Sequence, residues 1–221
     1  MSELEFTVLD VMAEQYSAFP SLLFRLHLAE STGEQIHAVA LRCQIRIEPQ
    51  RRQYTDAETA GLTDLFGGRE RWSETLKPFL WAHASTMVRG FTDSIDVDLP
   101  VACTYDFEVS GAKYLHALAD GEVPLILLFS GTVFTRGANG FGVEQIPWHL
   151  EAKCRMPVQV WRQCMDFHYP NSGWIRLDRG TLDALIQYKA TLGVPTWEQA
   201  FDTLLAPAGA PLTAPVEETV S

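Results

Sequence analysis

Alternation of apolar and polar side chains with a period of two runs through most of the first half of the chain, and it limits the fold more than any other feature. The clearest short example sets an apolar row, Val39, Leu41, Cys43, Ile45 and Ile47, against a polar row, Arg42, Gln44, Arg46 and Glu48. Such alternation predicts a half-buried β-strand, because successive side chains of a strand point to opposite faces. Similar patterns cover about 4–14 and 24–28, and residues 31–34 form a turn sequence. Three strands joined by short turns predict an antiparallel meander.

Further segments extend the predicted sheet. Residues 95–109 alternate without a break, which predicts a long strand with a bend near Pro100. Residues 123–134 are apolar on both faces, a pattern typical of a central strand that is covered on both sides. Gly137–Gly140 predicts a hairpin turn into a partner strand over 141–153. Residues 80–88 have no clean period, and their secondary structure stays open.

Helical spacing replaces the alternation in two regions. Thr55 or Asp56 can cap a helix that Gly67 would end, and Asp178 and Thr196 can cap helices near the C-terminus. The predicted fold class is α+β: an antiparallel β-sheet or sandwich of about seven or more strands, with a C-terminal helical pair packed on the sheet. A single domain is expected over 1–205, with an inserted helical segment at about 55–80. A disordered tail is expected over 206–221.

The charge of the chain excludes two classes of partner. Its 28 acidic and 17 basic side chains give a formal net charge of −11. Nucleic acids and anionic membranes both require a basic surface, so neither is expected as a partner. The N-terminal sequence lacks the basic and apolar regions of a signal peptide, and the four cysteines form no CxxC pair. We therefore expect a reduced, cytoplasmic protein.

Motifs for chemistry are few, and none predicts a catalytic residue. Ser130 lacks the full Gly-x-Ser-x-Gly pattern of a nucleophile elbow, which favours a strand serine beside a bulge glycine. Cys164 and His168 are the candidate metal ligands, because they share a helix face at i, i+4. His149 and Cys154 could approach the same ion. Alternatively, Cys164 packs in the core and His168 caps the helix C-terminus. No cofactor is expected.

Tryptophans are concentrated around the predicted helices and their joins. Interfaces between proteins are enriched in Trp, Tyr and Arg, but tryptophans also fill cores between sheets and helices, and both interpretations stay open. Most of the excess negative charge lies within 1–110, so apolar contact with a partner is expected in the second half. The candidate partner-binding residues are Trp148, Trp161, Trp174 and Trp197.

A set of residues in the second half carries a family resemblance. It comprises Pro157-Val158-Gln159-Val160-Trp161-Arg162, Met165, Tyr169-Pro170, Gly173-Trp174-Ile175-Arg176-Leu177, Leu185, Tyr188 and Trp197. In these residues the chain resembles an uncharacterised, mainly actinobacterial family that we associate with nickel–iron hydrogenase operons. The resemblance covers nearly the whole chain, implies a hydrogenase-related role and assigns no catalytic residues. The passage 174–188 is also similar to the closing strand and helix of the SecB export chaperone, which implies chaperone-like binding.

Together these observations favour a non-enzymatic, protein-binding accessory or assembly factor, chaperone-like and serving hydrogenase maturation. The expected partner is a protein or an unfolded polypeptide, and a homo-oligomer is compatible with the sequence. One alternative is a structural subunit of a larger complex. The other is a metal-binding protein or enzyme that uses Cys164 and His168.

Overall fold

The alternating segments fold as β-strands that form two antiparallel sheets. The computed structural model describes residues 3–103, 109–137, 140–170 and 177–206. Its strands are β1 (Leu4–Ala13), β2 (Ser21–Glu30), β3 (Ile36–Ile47), β4 (Phe79–Phe91), β5 (Ser94–Ala102), β6 (Glu122–Gly137), β7 (Gly140–Gln145) and β8 (Glu151–Pro157). The chain divides into two compact units, Met1–Ser172 and Gly173–Ser221, and each is described by itself. The single domain expected over 1–205 stays a prediction.

The two sheets both belong to the first unit. One has the order β1-β2-β5, and the other has the order β4-β3-β6-β7, with β8 also paired to β6. The sixteen residues of β6 make this arrangement possible, because β8 lies along their first half and β7 along their second. The predicted meander is wrong at its third strand: β2 pairs with β5, whereas β3 pairs with β4 and β6. The alternation within a strand predicts which side chains lie on each of its faces, but it does not predict which strands pair with it.

Inward-facing rows of the two sheets form one apolar core, as in a β-sandwich. Phe6 on β1 stacks on Phe129 on β6, with ring centroids 4.1 Å apart. Phe24 on β2 meets Trp81 on β4 edge to face at 6.2 Å. Because these rows are buried, the opposite faces of both sheets carry the remaining, outward-facing side chains.

Helices are α1 (Asp56–Gly61), α2 (Thr63–Phe66), α3 (Trp72–Thr75), α4 (Val109–Ala117) and α5 (Val158–His168) in the first unit, with α6 (Arg179–Leu192) and α7 (Trp197–Leu205) in the second. Thr55 forms a capping box with Glu58 at the start of α1. Asp178 and Thr196 cap α6 and α7 as predicted. Strands in two sheets together with these helices confirm the α+β fold class. None of the described helices is long and apolar enough to cross a membrane.

Two of the predicted strands differ from the structure. The strand predicted over 95–109 is wrong at its end: β5 stops at Ala102, and Val109 begins α4, where tertiary burial of Tyr114 favours a helix. The strand predicted over 141–153 is two strands, because a loop over 146–150 separates β7 from β8. Residues 80–88, left open by their sequence, lie within β4. Residues 174–176, the start of the passage that resembles SecB, and residues 207–221 of the predicted tail lie outside the described residues.

Candidate functional site

A groove lies on the outer face of the sheet that contains β3, β4 and β6. Strand pairing aligns Arg42 with Ser85 on one side and with Ser130 on the other. The next row along the strands aligns His83, Gln44 and Leu128 in the same way. Cross-strand neighbours on one face lie about 5 Å apart, so these side chains form a continuous surface. The groove has a volume of about 510 Å³, and Trp148 contributes to its lining.

The loop between β7 and β8 places Trp148 beside this groove. Ile146 N–H donates to the carbonyl of Gly131 at 3.0 Å, and Phe129 N–H donates to the carbonyl of Leu150, also at 3.0 Å. These two bonds hold both ends of the loop against β6. The Trp148 side chain between them is 89% exposed. The loop is therefore anchored while its aromatic ring is left available for contact.

Other exposed apolar side chains share this outer face. Met87 is 66% exposed and lies opposite Ala40, which also pairs with Thr132. Ala40 is two residues from Arg42 on the same face of β3. Val143 is 62% exposed and stands opposite Phe134 on β6. Large apolar side chains grouped on an exposed sheet face are characteristic of interaction surfaces in soluble proteins.

The same face is basic, although the chain as a whole is acidic. Arg42, Arg89 and Arg136 all point outward from this sheet by their register. Within the described residues, none of the three takes part in an ion pair. We name this surface the basic sheet face and define it by the three arginines together with Met87 and Trp148.

The outer face of the other sheet has the opposite character. Two of its aspartates are already paired with bases: Asp98 with Arg25 at 3.0 Å, and Asp96 with His27 at 2.6 Å. Pairing within the sheet satisfies these charges locally. Unmatched positive charge and exposed apolar surface therefore coincide on the basic sheet face.

Of the four tryptophans predicted to bind a partner, the structure places one on this face, Trp148. Trp161 on α5 is only 8% exposed and belongs to the core. Trp197 lies in the second unit, where it stacks on Phe201 with ring centroids 5.8 Å apart and lies 5.3 Å from the Lys189 ammonium. Trp174 lies outside the described residues. Sequence reasoning missed the arginines, because their common face depends on which strands pair.

Cys164 and His168 meet near the start of β2. The Cys164 thiol donates to the carbonyl of Ser21 at 3.3 Å. The two ring nitrogens of His168 lie 2.9 Å from the Cys164 carbonyl oxygen and 3.2 Å from that of Ser17. The Cys164 carbonyl, the largest cause, and the Ser17 carbonyl raise the pKa of His168 against the opposing effect of burial. A metal ion would have to displace one of these hydrogen bonds to reach the ring.

Metal ligation at this place stays a prediction. Among the described residues, no group of three or more His, Cys, Asp or Glu side chains has an arrangement that could hold a metal ion. Cys154, which could approach the same ion according to its place in the sequence, lies on β8, where burial raises its pKa to about 12. A cysteine binds a metal ion as its thiolate. A thiol whose raised pKa keeps it protonated at neutral pH is therefore a poor ligand.

Comparison with known proteins identifies a family and adds no established activity. The model of DUF6084, a family of unknown function, matches residues 1–212, and the chain belongs to this family. No curated protein matches the chain.

Solved structures show only weak likeness. A β-glucosidase from Kluyveromyces marxianus shares 6% identity over 70% of this chain and 15% of its own length, with a TM-score of 0.26. β-Glucosidase 3B from Thermotoga neapolitana shares 9% identity over 70% of this chain and 17% of its own length, also with a TM-score of 0.26. The chain thus spans less than a fifth of these enzymes, and the likeness carries no argument about fold or activity.

Proposed function

We propose that this protein is a non-enzymatic binding protein that receives an acidic and apolar segment of another protein on its basic sheet face. One observation carries the proposal: arginines without ion-pair partners among the described residues stand beside exposed apolar side chains on the same outer face. Arginine binds carboxylates through directed, charge-assisted hydrogen bonds.

The chemistry of the groove favours a partner segment that alternates carboxylate and apolar side chains. Arg42 and Arg89 lie two rows apart on neighbouring strands, which suits the repeat of an extended chain. Met87 is flexible and adapts to different apolar shapes, and Trp148 supplies a large rigid contact. An unfolded or partly folded client exposes segments of this kind.

The role that we propose for such binding is that of an accessory or assembly factor, which holds a client chain while its complex forms. The resemblance to a family associated with nickel–iron hydrogenase operons makes hydrogenase subunits the first clients to test. The resemblance of the C-terminal region to an export chaperone supports the same kind of role. Binding that relies on arginines and carboxylates should weaken as salt concentration rises.

A binding titration tests the proposal. The probe is a fluorescein-labelled peptide of alternating glutamate and leucine, and its anisotropy is followed as the protein is added. We expect Arg42→Ala and Trp148→Ala each to weaken binding by about tenfold or more, as at interface hot spots. Arg25→Ala is the matched control, because Arg25 lies on the outer face of the other sheet.

Specific results would contradict the proposal. A peptide with lysine in place of glutamate should bind much more weakly, since it would face like charge. If both peptides bind equally, or if Arg25→Ala weakens binding as much as Arg42→Ala, the basic sheet face is not the binding site. Failure of a purified hydrogenase subunit to bind, while the glutamate peptide binds, would reject only that client.

A further inference from the structure

Strand β7 lies at an open edge of its sheet. Among the strands that the structure describes, it pairs only with β6. Other edge strands border further elements: β4 contacts β5, and β1 contacts β8 and α5. In the described part of the chain, β7 has no comparable neighbour beyond β6. An open edge presents backbone N–H and C=O groups to which a further strand can bond.

The backbone groups on the open side of β7 belong to Phe141, Val143 and Gln145. Ile146 N–H donates to the carbonyl of Gly131 on β6 at 3.0 Å, so the backbone of Ile146 bonds towards β6. Successive residues of an antiparallel strand bond alternately towards and away from the same partner. The register of β7 on β6 has no shift, so alternate residues counted back from Gln145 direct their N–H and C=O groups away from β6.

The sequence of β7 lacks the features that usually prevent pairing between edge strands. Charged side chains and prolines are the common ones. In β5 they are Pro100 and two aspartates, and in β8 they are a lysine and an arginine. In contrast, β7 contains no proline and no basic residue, and its one charged residue is Glu144. Phe141 and Val143 are each 62% exposed, which makes β7 suitable for pairing with another strand.

The symmetry of the open side favours a second copy of β7 as that strand. In an antiparallel pair centred on Val143, the two Val143 residues exchange backbone hydrogen bonds, and Phe141 exchanges them with Gln145 of the second copy. Every outward N–H and C=O group of these residues is then bonded. Glu144 lies opposite Gly142 of the second copy, which has no side chain to obstruct it. An acidic client segment at this edge would instead bring its carboxylates close to Glu144.

We propose that β7 pairs with β7 of a second copy of this chain, so that the protein forms a symmetric dimer. The register centred on Val143 places the two valine side chains directly opposite each other, and apolar pairs of this kind stabilise antiparallel strands. The same surface patch serves on both copies, as twofold symmetry requires.

The dimer joins the two sheets that contain β7 into one continuous sheet. A twofold axis perpendicular to this sheet keeps the outer faces of both copies on the same side. The two basic sheet faces therefore lie next to each other on one surface. The inference does not depend on the proposed binding function, because self-association is measured without a client.

Molar mass in solution tests the proposal. The chain is passed through a size-exclusion column with light-scattering detection at several protein concentrations. We expect twice the mass of one chain, which falls towards that of one chain on dilution. Val143→Lys keeps the backbone hydrogen bonds but places two ammonium groups opposite each other, and it should raise the dissociation constant about tenfold or more. Leu9→Lys is the matched control, because Leu9 is a 51% exposed apolar residue on β1 in the other sheet.

Exchange of charge at the same position tests the register. Val143→Glu should also weaken self-association, because two carboxylates then oppose each other. An equimolar mixture of Val143→Lys and Val143→Glu should regain the dimer, since an ammonium group then lies opposite a carboxylate. Amide hydrogen exchange of the wild type needs no variant: the peptide that covers β7 should exchange more slowly as protein concentration rises.

Other results would overturn the inference. If the wild type has the mass of one chain at every concentration up to its solubility limit, this dimer does not form. A dimer that persists in both Val143 variants, or that Leu9→Lys weakens equally, uses another surface. Failure of the mixture to regain the dimer would exclude the register centred on Val143. Circular dichroism of each variant separates loss of the dimer from loss of fold.

Discussion

The Arg52 guanidinium lies 2.6 Å from the Glu58 carboxylate, and both side chains are almost completely buried. Arg52 also donates to the carbonyls of Asp120 and Glu122, and Glu58 accepts a hydrogen bond from Ala119 N–H. Burial alone would raise the pKa of Glu58, but the hydrogen bonds from Thr55 and Ala119 and the charge of Arg52 outweigh it and lower the pKa. The pair therefore attaches α1 to the loop that precedes β6.

Removal of Arg52 should strongly destabilise the protein. Arg52→Met leaves the Glu58 carboxylate buried without a counter-charge, which costs about 3–5 kcal/mol in the free energy of unfolding. Urea denaturation measures this cost. Arg69→Met is the matched control, because the exposed Arg69 pairs with the exposed Asp56 at 3.6 Å and should contribute less than about 1 kcal/mol. Equal effects of the two substitutions would show that the buried pair is not needed for stability.

The hydroxyl groups of Tyr54 and Tyr114 should contribute unequally to stability. Tyr54 donates to the carbonyl of Pro49 at 2.7 Å, so the hydrogen bond of 2.8 Å between the two hydroxyls comes from Tyr114. Tyr54→Phe leaves the fully buried Tyr114 hydroxyl without an acceptor and should cost about 1–3 kcal/mol. Tyr114→Phe removes only a bond that Tyr54 accepts and should cost less. Thermal unfolding of the two variants compares them, and the reverse order would contradict this hydrogen-bond direction.

Local features of the fold were predictable from sequence, whereas pairing between strands was not. The caps at Thr55, Asp178 and Thr196 were predictable because each side chain bonds a backbone N–H three residues ahead in its own segment. Pairing of β2 with β5 depends on contacts such as Arg25 with Asp98, which are 73 residues apart. Period-two patterns fit several sheet orders equally well, so they do not predict the two-sheet topology.

The candidate sites divide in the same way. Cys164 and His168 share a helix face as their i, i+4 spacing predicts, whereas the contact of the His168 ring with the Ser17 carbonyl, 151 residues away, has no local signal. Residue type makes Trp148 a candidate binding residue, but it does not distinguish this exposed side chain from that of the buried Trp161. The alignment of Arg42 with neighbouring strands, which creates the groove, is a long-range property.

Glu30 should make stability depend on pH in the acid range. Its buried carboxylate accepts hydrogen bonds from the backbone of Glu3, Thr32 and Glu34. Burial acts to raise its pKa, but these bonds and one from the Thr32 hydroxyl lower it from 4.5 to about 2.

The direction in which stability changes with pH follows from this lowered pKa. Ionised Glu30 stabilises the fold above about pH 4.5, and the contribution is lost as pH falls from 4.5 towards 2. Glu30→Gln should therefore reduce the free energy of unfolding at pH 7 by about 1–3 kcal/mol, with a difference from wild type that narrows below pH 4.5. Urea denaturation across this range checks both points, with Glu5→Gln on the exposed outer face as control. A difference that stays constant with pH would contradict the assignment.

Gly131 should not tolerate a side chain. Its φ is +134°, a conformation that L-residues rarely adopt, and a Cβ there would collide with the carbonyl oxygen of Ala40 on β3. Gly131→Ala should lower the free energy of unfolding by about 2–4 kcal/mol. Ser130→Ala, at the exposed neighbouring position, should change it by less than about 0.5 kcal/mol. Chemical denaturation measures both, and similar values for the two would show that β6 can relax around the added methyl group.

Substitutions of Trp161 and of Trp148 should have very different effects on stability, because one side chain is buried and the other is exposed. Trp161 is 8% exposed and packs in the core, so Trp161→Ala creates a cavity and should cost about 3–5 kcal/mol in the free energy of unfolding. Trp148 is 89% exposed on an anchored loop, so Trp148→Ala should leave that free energy within about 0.5 kcal/mol of wild type. Urea denaturation gives both values. A large loss of stability in Trp148→Ala would mean that the ring supports the loop, because a ring that is free to contact a partner contributes little to folding of the isolated chain.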